Sequence, residues 1–166
     1  MPMPCHMTLE GQNQGVIEGS SVIQGRENTI LVYSLDHVIK MPRDTNTGLP
    51  TGKRIHMPMT VIKEIDKSSP KLYQALTSGE QFGDESKAGV ILDFYRISPS
   101  GNEEKYFCVK LLKAIIVEVK SFFPETFFPD NEPYKHMEQI SFTYEKIIWT
   151  WEPDGIEADD AWLAPK

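Results

Sequence analysis

Residues 46–57, Asn-Thr-Gly-Leu-Pro-Thr-Gly-Lys-Arg-Ile-His-Met, place Gly48 and the pair Gly52–Lys53 soon after an apolar run, residues 29–39. A strand, a glycine loop and a Gly-Lys pair are the parts of a phosphate cradle. Backbone N–H groups would hold the phosphate oxygens and the lysine would reach the terminal ones. The spacing does not meet that demand. The phosphate loop needs four residues between its glycines, and here Leu49, Pro50 and Thr51 make three. Arg54 stands where a hydroxyl should bind magnesium. The residues after Lys53 alternate like a strand and include Pro58, whereas a bound anion needs a helix N-terminus there. Nucleotide binding is therefore set aside. Residues 41–54 read as an extended loop between two strands, in which Pro42, Pro50 and two glycines disfavour helix. Loops of this length with no secondary structure are usually functional or disordered.

The other chemically capable residues lack partners at useful spacing. His6, His37, His56 and His136 form no HExxH or similar ligand pattern, and read as ordinary surface or interface histidines. Cys5 and Cys108 lie far apart and form no CxxC, which fits a reduced chain. Cys108 falls in an alternating strand and reads as a buried small apolar side chain. There is no G-x-S-x-G elbow. The acid pairs Glu103–Glu104 and Asp159–Asp160 read as solvated charge. No catalytic, cofactor-binding or metal-ligating residue is assigned, and no cofactor. A β-barrel hydrolase with unrecognised carboxylates stands as the alternative from the enzyme class.

The elements that carry these residues follow from periodicity. Period-two alternation runs through 30–40, with Leu31, Tyr33, Leu35, His37 and Ile39 on one face and Ile30, Val32, Ser34, Asp36 and Val38 on the other. It recurs from Ile55, with Met57, Met59 and Val61 in phase. It recurs from Phe107 through Val109, Leu111, Ile115, Val117 and Val119, interrupted by Lys113. The last run takes in Ile140, Phe142, Tyr144 and Ile148. Such alternation means half-buried, largely antiparallel strands. One helix is expected after Asp66, with Ser69 as N-cap, Pro70 in the first position and Gly79 as the stop. Leu72, Tyr73 and Leu76 would pack it on the sheet.

At 166 residues the chain predicts one domain, 1–166, able to bury a core without staples. Seventeen basic residues against twenty-four acidic give a net charge of −7, which argues against sequence-independent nucleic-acid binding and against a polybasic membrane anchor. No apolar run is long enough to span a membrane, and the N-terminus lacks the pattern of a classical signal peptide. Residues 152–166 form an acidic tail with five acids before Lys166, expected on the surface or across to a neighbour. The segment 121–136 carries two Phe-Phe-Pro units. Their phenylalanines either fold back on the core or cover a partner's surface.

Several of these stretches together resemble the Hcp family, the haemolysin-coregulated tube proteins of bacterial type VI secretion. The opening MPMPC…LEGQNQG looks like Hcp N-termini, and MPRDTNTGLPTGKRIHMPM is similar to the extended loop of that family. IDKSSPKLYQALTSGE resembles its strand-to-helix segment, and ISFTYEKIIWTWE followed by DDAW resembles the last long strand and tail. Residues 121–136 depart from the pattern. The resemblance implies a small β-barrel of antiparallel strands with one α-helix, assembling as a hexameric ring with a wide pore. Rings would stack into a tube inside a contractile sheath and be ejected with a VgrG-type spike protein. Small toxin effectors would ride in the pore, with export from the bacterial cytoplasm through the type VI system. The resemblance also gives the loop a role as a docking arm between rings, with Asp44, Gly48, Pro50, Gly52, Lys53 and Arg54 in it. Lys53 and Arg54 would meet acids on the next ring. It places Tyr33–Ser34–Leu35 at the pore, against the plainer reading of Ser34 as a solvent-facing strand serine. A phage-like contractile tail-tube subunit is the near alternative.

Overall fold

Strands with one apolar face need a partner face to bury it, and here a sheet closes on itself to supply one. A computed structural model of the chain describes residues 3–84 and 86–163. The first half contains β1 (Cys5–Gly11), β2 (Gly15–Ile17), β3 (Ile30–Asp36), β4 (Ile39–Lys40), β5 (Ile55–His56) and β6 (Met59–Glu64). The helix α1 (Ser69–Ser78) and the short β7 (Gln81–Phe82) follow. The second half contains β8 (Val90–Ile97), β9 (Glu103–Leu112), β10 (Ala114–Phe122), β11 (Met137–Thr143), β12 (Lys146–Trp151) and β13 (Ile156–Ala161).

The strands β1, β3, β6, β11, β10 and β7 pair in that order, all antiparallel, and β7 returns to β1 through Gly11 and Phe82. That closes the barrel. From the same β1, a wing of β8, β9, β12 and β13 continues the sheet outward. Barrel and wing separate near Gly83 and Gly89. A Cβ on Gly83 would lie 2.5 Å from the Gly89 Cα, and both residues hold positive φ, so side chains are excluded there. Met7, Leu9, Val61, Phe82, Phe142 and Leu111 are all fully buried in the core.

Helix α1 adds Leu72 and Ala75 to that core, with Leu76 packed beside them. The expected stop holds: Gly79 takes φ 66°, and the N–H groups of Gly79 and Glu80 donate to Leu76 and Ala75. The expected start is one residue late, since the N-cap is Ser68. Ser69 instead receives the Asp66 N–H at 3.0 Å and donates to Glu138 at 2.7 Å. Tyr73 is outside the buried stripe, with its hydroxyl on Ser121.

Four runs lose phase where strict alternation continued; in the last, the chain turns at residues 144–145 from β11 to β12, so Ile147 is buried and Ile148 only partly. In β3 a bulge between Val32 and Ser34 leaves Tyr33 and Ser34 both exposed and turns Leu35 back to the core. At Lys113, which holds φ 50°, the chain leaves β9 for β10; Ile116 is buried, while Ile115 and Val117 are exposed. Met57 and Pro58 separate β5 from β6, so His56 is buried and Ile55 exposed, the reverse of the period-two expectation. The described part of the acidic tail is largely exposed, as expected, but it is paired as a strand. Residues 156–161 fold back as β13 on β12, from Lys146 opposite Ala161 to Trp151 opposite Ile156. Lys166 lies outside the described residues.

Candidate assembly arm and pore-facing strand

Residues 41–54 leave the barrel as a ribbon, and their own hydrogen bonds shape it. β4 and β5 pair at its base, Ile39 opposite His56 and Lys40 opposite Ile55. Arg43 and Pro50 form an antiparallel bridge further out, and the Thr51 N–H donates to Pro42 at 2.9 Å. Asp44 closes the tip. Its carboxylate accepts from the N–H groups of Asn46 and Thr47 at 2.7 and 2.9 Å, and its carbonyl accepts from Gly48. Those backbone donors hold its carboxyl below the usual carboxylate range. Gly48 takes φ 72° in open space, so glycine is needed for its backbone conformation. Leu49, Pro50, Gly52 and Lys53 are exposed. Strands follow Lys53, so no helix N-terminus faces the glycines.

The base of the arm is fixed to the barrel by a cluster that sequence reasoning missed. Arg54 grips the Asp160 carboxylate with both Nε and Nη2, the latter 2.7 Å from Oδ1, and Nη2 also donates to the Ala161 carbonyl at 3.1 Å. His56 meets the same carboxylate through Nε2 at 2.8 Å and the Tyr144 hydroxyl through Nδ1 at 2.7 Å. His37 reaches that hydroxyl from the other leg of the arm, Nε2 at 2.8 Å. Trp162 stacks on His56 with 5.5 Å between ring centroids and sets its edge to Tyr144. The Arg54 hydrogen bond holds the Asp160 carboxyl below its usual range, with His56 adding to it. Burial pushes the Tyr144 phenol well up.

Two expectations change. His56 and His6 are buried at 3% and 2% exposure rather than lying on the surface, and His37 is half-buried. Asp160 is an ion-pair partner rather than solvated charge, and Arg54 spends its fork inside its own chain. Asp160 lies 106 residues from Arg54, a separation no local motif spans. The only sequence signal was an Asp-Asp-Ala-Trp that ends in an aromatic residue.

Tyr33, Ser34 and Leu35 line one wall of a groove of about 460 Å³, facing Phe94, Tyr95 and Arg96 across it. The groove opens where β1 ends: Cys5 pairs with Val32, and Pro4 before it has no N–H to continue the ladder. The bulge in β3 sets Tyr33 and Ser34 outward together. The Phe-Pro segment does not fold back, and Phe123, Phe127 and Phe128 are exposed at 57%, 87% and 57%. Both cysteine thiols are poor nucleophiles, pushed up to about 12. Burial does this to Cys5; Cys108 is only half-buried and has Asp93 beside it as well. Among the described residues no His, Cys, Asp or Glu cluster could hold a metal, and no helix is long and apolar enough to cross a membrane.

Fold and site together define a mainly β protein: a closed antiparallel barrel with one helix, an outward sheet and a braced projecting ribbon. Residues 6–151 match the family model for the type VI secretion system effector Hcp. The chain belongs to the Hcp family, the tube proteins of type VI secretion, which are exported. It is 36% identical over 174 aligned residues to the major exported protein of Pseudomonas aeruginosa, covering 99% of this chain and 98% of that one. Among solved structures, a mutant Hcp1 from Escherichia coli EAEC 042 superposes with a TM-score of 0.82 at 36% identity, covering 97% and 99% of the two chains. The secreted protein Hcp3 of Pseudomonas aeruginosa gives 0.77 at 32%, with the same coverage.

Proposed function

We propose that this chain is the ring-forming subunit of a type VI inner tube. Six copies close head to tail into a ring, the arm docks each ring on the next, and small toxin effectors bind the pore wall at Tyr33, Ser34 and Leu35. A VgrG-type spike and a contractile sheath are its partners in the machine. The function is structural rather than catalytic, and the whole chain acts as one tube domain. Export through the type VI machine would start from the bacterial cytoplasm and need no signal peptide.

One observation supports this reading above the rest. The arm is ordered internally by Asp44 and braced at its base by Arg54–Asp160, and it holds Leu49, Pro50 and Lys53 exposed. Fixing so much exposed backbone costs conformational entropy, which docking on a second molecule would return. The exposed Phe127 and Phe128 add apolar surface suited to a neighbouring subunit.

Native mass spectrometry of the purified chain at micromolar concentration tests it. A six-subunit mass is expected, and imaging should show rings and short stacks. Monomers and dimers alone would overturn the reading.

A further inference from the structure

The two legs of the arm each carry one imidazole, His37 just before β4 and His56 in β5, and both meet one oxygen. The Tyr144 hydroxyl lies 2.8 Å from His37 Nε2 and 2.7 Å from His56 Nδ1. Protons can be counted around it. His56 Nε2 faces the Asp160 carboxylate, which only accepts, so Nε2 carries a hydrogen. With His56 neutral, Nδ1 is bare and accepts from the Tyr144 O–H. The Tyr144 oxygen then accepts from His37 Nε2–H, and every group is satisfied.

One added proton fits equally well. On His37 Nδ1 it leaves the three bonds unchanged. On His56 Nδ1 it reverses the two at Tyr144, so that His56 donates to Tyr144 and Tyr144 donates to a bare His37 Nε2, while His56 Nε2 still donates to Asp160. A second added proton does not fit. Both imidazoliums would donate to one oxygen, the hydroxyl hydrogen would lose its acceptor, and like charges would face each other across one atom. Tyr144 and His56 are 5% and 3% exposed, which leaves little room for water to supply the missing acceptor.

The surrounding charges do not relieve this. Arg54, just before β5, and Asp160 from β13 neutralise each other beside His56. At the corner between β11 and β12, Glu145 pairs with Lys113, and Lys146 pairs with Asp159 of β13. On the His37 side stand Asp36, at the end of β3, and Lys40, in β4. Burial, with His56 adding, lowers the readiness of His37 to take up a proton, and Asp36 opposes them.

We propose that the Tyr144 network is a proton-counting latch on the arm: it stays shut with one added proton and opens with the second. His37, half-buried and without a carboxylate grip, is the leg released, while Asp160 keeps His56. The effect on tubes rests on the stacking reading above; the latch itself does not.

Trp162 is a built-in reporter, because an imidazolium quenches an indole stacked on it. The experiment follows Trp162 emission, with a Trp162→Phe blank, and amide-exchange protection across residues 38–57 as pH falls. In the wild-type chain, arm protection should survive the first proton uptake and fall only at the second, in a step with a proton coefficient near one, below the ordinary imidazole range, about pH 6.5. Trp162 emission should have dropped by the end of that step. His37→Gln keeps a side chain that can donate to Tyr144 or accept from it. It should fold normally, still show the drop in Trp162 emission, and keep the arm protected down to about pH 5, above the range in which Asp160 loses its charge. Tyr144→Phe is a core change, so His37→Gln is the deciding variant. Arm protection unchanged in the wild type between about pH 7 and pH 5 would overturn the latch, as would opening of His37→Gln over that range. If the arm opens and stacked tubes keep their length, the latch stands and the stacking reading fails.

Discussion

The Lys63 ammonium lies against the Glu138 carboxylate inside the barrel, directly across the β6–β11 ladder, with side-chain exposures of 1% and 0%. Lys63 also donates to Asp66 at 3.0 Å and to the Glu64 carbonyl at 2.9 Å. The charge thus sits where a Met or Val would be expected, on the face shared by Met59 and Val61, and it ties the barrel to the turn that starts α1.

Removing one member should therefore be expensive. Lys63→Ala strands a buried carboxylate and should cost about 3–5 kcal/mol of unfolding free energy. The double change Lys63→Met with Glu138→Leu should recover most of that, since apolar replacements of buried pairs are often neutral. Urea unfolding of the two variants checks it. Equal losses would show that the pair contributes more than it costs to bury.

At the arm, the two adjacent cations should behave differently. Lys53 is exposed, whereas Arg54 is held on Asp160. Lys53→Glu should leave ring mass and thermal stability unchanged while shortening tubes and lowering secretion. The defect should be milder at high salt, which screens contacts on an exposed rim. Arg54→Glu sets an acid against Asp160, so it should lower the melting temperature of the single chain before any stacking is measured. Tubes of normal length from Lys53→Glu would show that its charge is incidental.

Acid should weaken the brace in a defined direction. Asp160 has a folded pKa below its unfolded one, chiefly through Arg54. Its contribution is therefore complete above the ordinary carboxylate range and is lost as pH falls through the folded value. Asp160→Asn should melt lower than wild type at neutral pH, and the gap should close below about pH 4. Melting curves against pH give the difference directly. A gap that persists in acid would mean that packing, not charge, holds β13 to the arm.

Ser34→Gln tests the pore assignment. It places a longer amide on an exposed position of the bulged β3, repeated in each subunit of a ring. Rings of normal mass with weaker retention of small effectors are expected, because symmetry multiplies a small change per site. Co-purified effector is the readout, and unchanged amounts beside intact rings would remove Ser34 from the pore wall.

How much of this was legible in the sequence depends on whether the signal was local. The alternation of Ile140, Phe142 and Tyr144 gave the strand and its buried face correctly, and Gly79 marked the helix stop. Phase was lost where the chain turns without glycine or proline, as at Lys113 with φ 50°, or where a bulge adds a residue, as beside Tyr33. Proline stopped one strand in a way period two could not carry, so Pro58 reversed the roles of Ile55 and His56. Lys63 reads as surface by type although it is buried. The brace joining residues 37, 54, 56, 144 and 160 is long-range throughout, and polar residues at such separations carry no periodicity to find.

β13 is the last strand of its sheet, so one of its edges has no strand beside it. An open edge is where a misplaced chain can add itself and begin an aggregate. This one carries Glu157, Asp159 and Asp160 along its six residues, and among the described residues Lys146, Arg54, His56 and Thr150 answer those acids. A second copy of the same strand would bring acid against acid. The edge thus carries charged side chains rather than an apolar row, a device that discourages a subunit from pairing with its twin out of register.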